Sequence, residues 1–304
     1  MKDPAAKRSP YRIFFIVTLL FLFASIPLLT ASSSAETEAS AAPPSKLEQQ
    51  VLVWAAALSS QKSFAAWKGA VPDIQALGPG THGWLAFMMK DGKTVGYLVV
   101  HAAADGTFRL GEYGTGEDAL FSPAVLEKSL TENGLIASKD EPYTAVRHYF
   151  NPFASSWEVT IGQDTYWLDA KTGEILPFDR PAWEKALPSV RPLDPAVLSG
   201  AEGLGIGIAN VWTNESFDAY ETLPWLTGKA PFAVADNGKE VQNRLRGGLH
   251  LRYVSEPYGD AALYALPVIG FQSWSGGRLD LALDMQGNRY IPLASLLQFG
   301  RFYE

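Results

Sequence analysis

Cysteine is absent from the 304 residues of this chain. Its absence excludes disulfide frameworks, thiolate zinc sites, redox dithiols and every mechanism that uses a cysteine nucleophile. Histidine is scarce, and the four histidines form no H-E-x-x-H pattern and no pair four residues apart: His82, His101, His148 and His250. Because local spacing offers no ligand set, the sequence predicts no metal site.

Basic residues are outnumbered by acidic ones. The chain has 25 lysines and arginines against 32 aspartates and glutamates, a formal net charge of −7. Since such a surface repels a phosphate backbone, we expect no nucleic-acid partner. Hydrophobic residues make up 47% of the chain and charged residues 19%, a composition that is typical of a packed globular protein and excludes disorder of the whole chain.

Motifs for phosphate binding and for serine catalysis are incomplete or missing. The run GLGIGIAN at residues 203–210 is rich in glycine, but Ile208 stands where the dinucleotide-binding pattern G-x-G-x-x-G requires glycine. No G-x-S-x-G nucleophile elbow occurs. We therefore expect a flexible or closely packed backbone at this run, and no nucleotide or other cofactor.

The N-terminus carries the pattern of an export signal. Four basic side chains precede an uncharged run over residues 13–30: Lys2, Lys7, Arg8 and Arg12. Small residues follow at 31–35, so we expect signal peptidase to cut after Ala35. The apolar run is also long enough for a membrane anchor, which is the alternative. Either way the positive-inside rule places the rest of the chain outside the cytoplasm, secreted or anchored in the cytoplasmic membrane.

The segment after the predicted signal is a tether. Residues 36–46 read ETEASAAPPSK, a small, polar and proline-bearing stretch that is typical of a flexible linker. Removal of residues 1–35 leaves 21 basic and 31 acidic residues, a net charge of −10. Such a protein stays soluble and avoids anionic lipid, so only the N-terminal segment, if uncut, is expected to contact a membrane.

The rest of the chain predicts an α+β fold, in which two α+β domains built on antiparallel sheets follow the signal or anchor helix. In residues 47–180, a helix or a broken helix pair leads into strands separated by Asp-Gly turns, then a helix opened by Ser122-Pro123, then three more strands. Prolines accumulate over residues 181–200, where we place the interdomain linker. Residues 201–304 are richer in strands and form the second domain.

The turn that closes the first predicted domain resembles a known family. Residues 165–176 read TYWLDAKTGEIL, which is similar to the closing hairpin of PepSY-type domains, where a strand ends in Asp-x-x-Thr-Gly-Glu. Asp169 can bond the turn backbone and Gly173 accepts positive φ, so any hairpin could converge on this pattern. The resemblance covers about residues 140–177. It implies a small exported or membrane-anchored module, often a propeptide that restrains a peptidase, and it carries no catalytic residue.

The order of elements in the second predicted domain resembles the second half of papain-like peptidases of the bacteriocin-processing type. A helix at 239–246 leads through three strands to a closing helix. Tyr264 stands where that family has its catalytic histidine, and Asp284 is near the orienting Asp or Asn. Tyrosine, with an ordinary pKa of about 10, cannot replace the imidazole base. The resemblance implies a degenerate domain without peptidase activity; an unrelated β-rich domain is the alternative.

Two tryptophans lie among turn residues, Trp225 in ETLPWLTG and Trp274 in QSWSGG. Both are candidates for exposed ligand contacts, although burial in the core is the environment that we favour for each. Together with Tyr264 and Asp284 they make up the candidate ligand-binding set.

The leading hypothesis is a non-enzymatic extracytoplasmic module that binds an exported protein, a peptide or a cell-envelope component. A second hypothesis is an exported hydrolase whose site uses Asp280, Asp284 or His250, because the absence of a motif in one sequence is weak evidence against an enzyme. A third follows only from the PepSY resemblance, an inhibitor or chaperone of a co-exported peptidase.

Overall fold

The computed structural model describes residues 45–203 and 205–304. The predicted signal or anchor at residues 1–35, and nearly all of the predicted tether at 36–46, lie outside these residues. Of the helices in the described part, none combines the length and the apolar composition that a bilayer span requires.

Five α-helices and fourteen strands make up the described part of the chain. The helices are α1 Lys46–Ser59, α2 Pro123–Glu132, α3 Arg180–Ala186, α4 Lys239–Arg246 and α5 Leu293–Phe299. The strands are β1 Val71–Ala76, β2 Gly83–Lys90, β3 Lys93–Ala102, β4 Phe108–Thr115, β5 Thr144–Tyr149, β6 Ser155–Ile161, β7 Asp164–Asp169, β8 Ile208–Thr213, β9 Leu251–Ser255, β10 Pro257–Asp260, β11 Tyr264–Trp274, β12 Leu279–Asp284, β13 Asn288–Pro292 and β14 Gly300–Tyr303.

Ten strands form one large sheet in the order β1-β2-β3-β4-β13-β12-β11-β9-β14, with β8 also paired to β11. A smaller sheet has the order β5-β6-β7. Neighbouring strands are antiparallel in both sheets. The structure is thus a mixed α/β fold on antiparallel sheets, as predicted.

The central strands of the large sheet are buried on both faces, whereas β1 and β8 are largely exposed. On one face α1 and the 3₁₀ helix Lys62–Trp67 pack Trp54 and Phe64 against the strands. On the other face lie the small sheet and α2 over one half, and α4 and α5 over the other. Because side chains alternate along a strand, consecutive residues of β4 face different cores. Tyr113 belongs to the α1 face, and Glu112 points to the opposite one.

The large sheet contains strands from both predicted domains. The structure therefore shows no division between two sheets at residues 181–200, where we predicted the linker. Strand β4 pairs with β13, with Tyr113 opposite Tyr290, so the two halves share backbone hydrogen bonds. The described residues belong to one compact unit. The proline-rich segment is itself packed, because Trp183 and Leu198 are buried.

Local sequence signals predicted several elements correctly. The Ser122 hydroxyl caps α2 by accepting a hydrogen bond from the Val125 amide, and Pro123 occupies the first turn. The turn between β2 and β3 uses Asp91 and Gly92, both with positive φ, as an Asp-Gly hairpin requires.

Five of these strands and helices were not predicted: β1, β8, β10, β14 and α3. The glycine-rich run contributes β8, which forms an edge of the large sheet beside β11. Helix α3 lies inside the predicted linker, where the Asp179 side chain caps it by accepting from the Ala182 amide. Asp179 followed by a proline at the first turn is itself a helix-start signal.

Candidate functional site

A cavity of about 420 Å³ lies where the large sheet, the small sheet and the proline-rich segment meet. We call it the histidine cavity, because three of the four histidines line it. Its lining is Pro79, Gly80, Thr81, His82, His101, Ala102, His148, Tyr149, Phe150, Pro192, Leu193 and Pro195. This volume is within the range of small-molecule pockets.

Hydrogen bonds join two of the chain segments that form the walls of the histidine cavity. The end of β5 is tied to the proline-rich segment, because the Leu193 amide donates to the Phe150 carbonyl at 2.7 Å. The Asn151 side chain donates to the Arg191 carbonyl at 2.8 Å and accepts from the Phe153 amide. These hydrogen bonds hold the end of β5 against the proline-rich segment and fix this part of the wall.

His101 is the most buried histidine of the cavity, with 7% of its surface exposed. Glycines flank the ring because larger residues would collide with it: a Cβ on Gly111 would lie 2.9 Å from Nε2. Burial lowers the pKa of His101 to about 4, so the imidazole is neutral near pH 7. Among the described residues, nothing hydrogen-bonds its buried Nε2.

Tyr149 lies beside His101, with the two ring centroids 5.8 Å apart. Its side chain is 5% exposed, and its hydroxyl has no hydrogen-bond partner among the described residues. Burial, and then the nearby Glu112 carboxylate, raise the pKa of Tyr149 well above 10. The hydroxyl therefore stays protonated. The lining thus includes two neutral polar side chains, each with a buried atom that has no hydrogen-bond partner among the described residues.

The other two histidines of the cavity are engaged differently. His148 contacts Glu158 at 2.8 Å through Nε2 and stacks on Phe150, whereas His82 is exposed. In the described part of the chain, no three His, Asp or Glu side chains are arranged to hold a metal ion. The histidines therefore form a polar lining.

A buried ion pair lies near Tyr149. Arg289 donates to both carboxylate oxygens of Glu112, at 2.7 and 3.0 Å, and to the Pro152 carbonyl at 2.6 Å. The Tyr97 hydroxyl donates to the same carboxylate at 3.2 Å. Because Glu112 and Arg289 come from β4 and β13, the pair joins the two halves of the large sheet.

The predicted contact Trp274 is buried in the α1 face of the sheet with 1% of its surface exposed. Its indole donates to Asp280 Oδ2 at 2.8 Å, and the Tyr113 hydroxyl donates to the same oxygen at 2.9 Å. Arg278 donates to the other oxygen at 2.6 Å. We call Tyr113, Trp274, Arg278 and Asp280 the Asp280 cluster. Both carboxylate oxygens of Asp280 accept hydrogen bonds inside the core. Trp274, which donates one of them, is therefore a core residue and not an exposed contact.

Tyr264 and Asp284 each have a different partner. The Tyr264 hydroxyl donates to Asp169 Oδ2 at 2.8 Å. Tyr264 belongs to the papain-like resemblance and Asp169 to the PepSY-like turn, so residues of the two regions are in contact. Burial, and then Asp169, raise the pKa of Tyr264 well above 10. Asp284 accepts a hydrogen bond from the Ser216 hydroxyl.

Trp225, the second candidate contact, lies between the two environments considered for it. It is half-buried against Tyr220 and Tyr303 and lines a groove of about 430 Å³ together with Leu226, which is 72% exposed. The candidate hydrolase residue His250 is exposed elsewhere and stacks on Phe217.

The residues of the histidine cavity were not predicted as a site. His101 and His148 are far apart in the sequence and belong to different sheets, so their meeting depends on the tertiary structure. No family model, curated protein or solved structure matches this chain. The PepSY-like and papain-like resemblances therefore remain predictions.

Proposed function

We propose that this protein is a non-enzymatic extracytoplasmic binding module and that its ligand occupies the histidine cavity. The observation that carries the proposal is one cavity whose lining includes two residues with a buried, unpartnered polar atom, His101 Nε2 and the Tyr149 hydroxyl. An unsatisfied buried polar group costs about 1–3 kcal/mol. A ligand that reaches these groups recovers that cost on binding.

The chemistry of the wall selects the ligand. The His101 and Tyr149 side chains are neutral near pH 7, and the rest of the lining combines Thr81, His82 and His148 with three prolines, Leu193 and Phe150. A charged ligand would lose its hydration without a counter-charge from the His101 and Tyr149 side chains. We infer a neutral ligand with one apolar face and one hydrogen-bonding group, supplied by a peptide or a cell-envelope component.

The place of action follows from the N-terminal segment. We propose that residues 1–35 direct export, after which the protein is secreted by cleavage near Ala35 or remains anchored by residues 13–30. Mass spectrometry of the N-terminus in the secreted and membrane fractions tests this. An intact N-terminus found only in the cytoplasm would contradict export.

Binding at the cavity can be tested by ligand-observed NMR. The probe is a set of small neutral amides, alcohols and sugars mixed with the exported protein. We expect at least one compound to bind with a Kd of about 1 mM or tighter, and expect Tyr149→Phe and His101→Gln to weaken it. His250→Gln is the matched control, because His250 is exposed and does not line the cavity. Binding that is unaffected by either cavity variant, or no binding at all, contradicts the proposal.

A further inference from the structure

A second groove of about 660 Å³ lies on the other side of the loop that follows β1. It is lined by Gln75, Ala76, Gly78, Pro79, Pro123, Leu126, Tyr143, Ala145, Val146, Arg147 and Trp157. Pro79 also lines the histidine cavity, so the two spaces follow each other along β5. We call this second space the Arg147 groove.

Two strand edges border the Arg147 groove. In the described residues β1 pairs only with β2, and β5 only with β6, so each ends its sheet and leaves an unpaired edge. Gln75 and Ala76 come from β1, and residues 145–147 from β5. Unpaired backbone groups at a sheet edge are a template for a further strand.

Arg147 is the cation of this groove, and it has no carboxylate partner within ion-pair distance among the described residues. Its guanidinium lies 5.4 Å from the centroid of the Trp157 ring and also covers Phe87 and Phe121. It donates to the Ala76 carbonyl at 3.2 Å and to Gln75 Oε1 at 2.7 Å. These bonds fix the guanidinium and leave N–H groups free, since arginine has five.

The surroundings of Arg147 favour an anion. Burial lowers the pKa of Arg147, although arginine stays protonated, so the charge lies where water stabilises it less. The Asp73 carboxylate attracts the Arg147 charge from a distance. It accepts its hydrogen bond from the Gln75 side chain, at 2.7 Å, and not from the guanidinium. A ligand carboxylate would supply the missing partner in a charge-assisted hydrogen bond.

We propose that the Arg147 groove binds an extended, apolar peptide segment whose carboxylate pairs with the Arg147 guanidinium. The peptide backbone would pair with the edge of β5 ahead of Arg147, because Gly78 already packs against the Arg147 carbonyl; Val146 beside it is 40% exposed. Its apolar side chains would contact Leu126 and Trp157, since alternate residues of a strand face the same side. This proposal goes beyond the function proposed above, because it concerns a different space and a charged ligand.

The test compares peptides that differ only in the carboxylate. The probes are acetyl-Val-Thr-Val-Thr-Leu with a free C-terminus, the same peptide as the C-terminal amide, and an amide with glutamate at the fourth position. Titration calorimetry with the whole exported protein measures their affinities. We expect a peptide with a carboxylate to bind about tenfold more tightly than the neutral amide, the effect of one hydrogen bond to a charged group. The first and third probes distinguish a terminal from a side-chain carboxylate.

Variants assign the effect to the guanidinium. Arg147→Gln removes the charge and is expected to abolish the preference for the carboxylate. Arg180→Gln is the control: Arg180 also lies over an aromatic ring, that of Trp167, but it is already paired with Glu158 at 3.2 Å. If Arg147→Gln unfolds, the comparison of the three peptides on the unaltered protein still decides. Equal affinity for all three peptides, no binding by any, or a preference that survives Arg147→Gln overturns the proposal.

Discussion

The Asp280 cluster and the histidine cavity are both buried polar regions of one sheet, and they lie on opposite faces of it. In the Asp280 cluster the protein itself supplies the partners, with two donors on one carboxylate oxygen of Asp280 and Arg278 on the other. In the histidine cavity, His101 Nε2 and the Tyr149 hydroxyl have no partner among the described residues.

This difference separates a stabilising role from a binding role. A satisfied buried network adds to the uniqueness of the fold, and removal of one member leaves the others unpaired. An unsatisfied polar group reduces stability, and a ligand that forms a hydrogen bond with it recovers that cost. The sequence made Trp274 a candidate ligand contact and gave His101 no role. Their environments favour a structural role for Trp274 and a binding role for His101.

The largest expected effect is at Asp280. Replacement Asp280→Asn leaves the buried Arg278 without its carboxylate, so we expect the free energy of unfolding to fall by about 3–5 kcal/mol. Urea unfolding followed by circular dichroism measures it. Asp284→Asn at the end of the same strand is the control, because Asp284 is only partly buried and should change the value by less than about 1 kcal/mol. Equal losses of stability for Asp280→Asn and Asp284→Asn would mean that the Asp280 cluster does not stabilise the fold more than a partly buried carboxylate does.

An intermediate effect is expected from the titration of His101. Its pKa is about 4 in the folded protein and about 6.5 in an unfolded chain. The unfolded chain therefore binds a proton more readily, so the stability present above pH 6.5 is lost as the pH falls through 4. The loss reaches about 3 kcal/mol at the acid end.

His101→Phe removes this titrating group and keeps a planar ring. We expect the difference in unfolding free energy between this variant and the unaltered protein to grow in favour of the variant between pH 6.5 and 4. Urea unfolding at a series of pH values measures it. Parallel pH profiles for the two proteins would show that His101 has an ordinary pKa in the folded protein. The contrast between the histidine cavity and the Asp280 cluster would then fail.

The smallest expected effect compares two tyrosines. Tyr113→Phe deletes a hydroxyl that donates to Asp280, so we expect a loss of about 1 kcal/mol. Tyr149→Phe deletes a hydroxyl without a partner, so stability should stay the same or rise slightly. Thermal unfolding of the two variants side by side provides the measurement. A larger loss for Tyr149→Phe than for Tyr113→Phe would mean that the cavity tyrosine is structural.

Much of the local structure could be predicted, because its causes lie within a few residues. The Ser122 cap with Pro123, and the turn at Asp91 and Gly92, depend on backbone groups next to them in the chain. The pairing of β4 with β13 has no such signal, since Gly114 and Arg289 become neighbours only when the chain folds. The proline-rich segment looks like a linker in sequence for the same reason, because its contacts, such as Leu193 with Phe150, are with residues distant in the chain.

By itself the sequence determined the α+β class, the antiparallel strands, and the absence of cysteine chemistry, because composition and short-range patterns are sufficient for these. The tertiary structure alone decided which polar side chains are satisfied. Trp274 is buried because β11 lies inside the sheet, where Asp280 accepts its indole hydrogen. His101 is left unpartnered because two sheets and a proline-rich segment close around it and supply no donor or acceptor to its Nε2. Whether a polar atom has a partner depends on distances between residues far apart in the chain, and those distances exist only after folding.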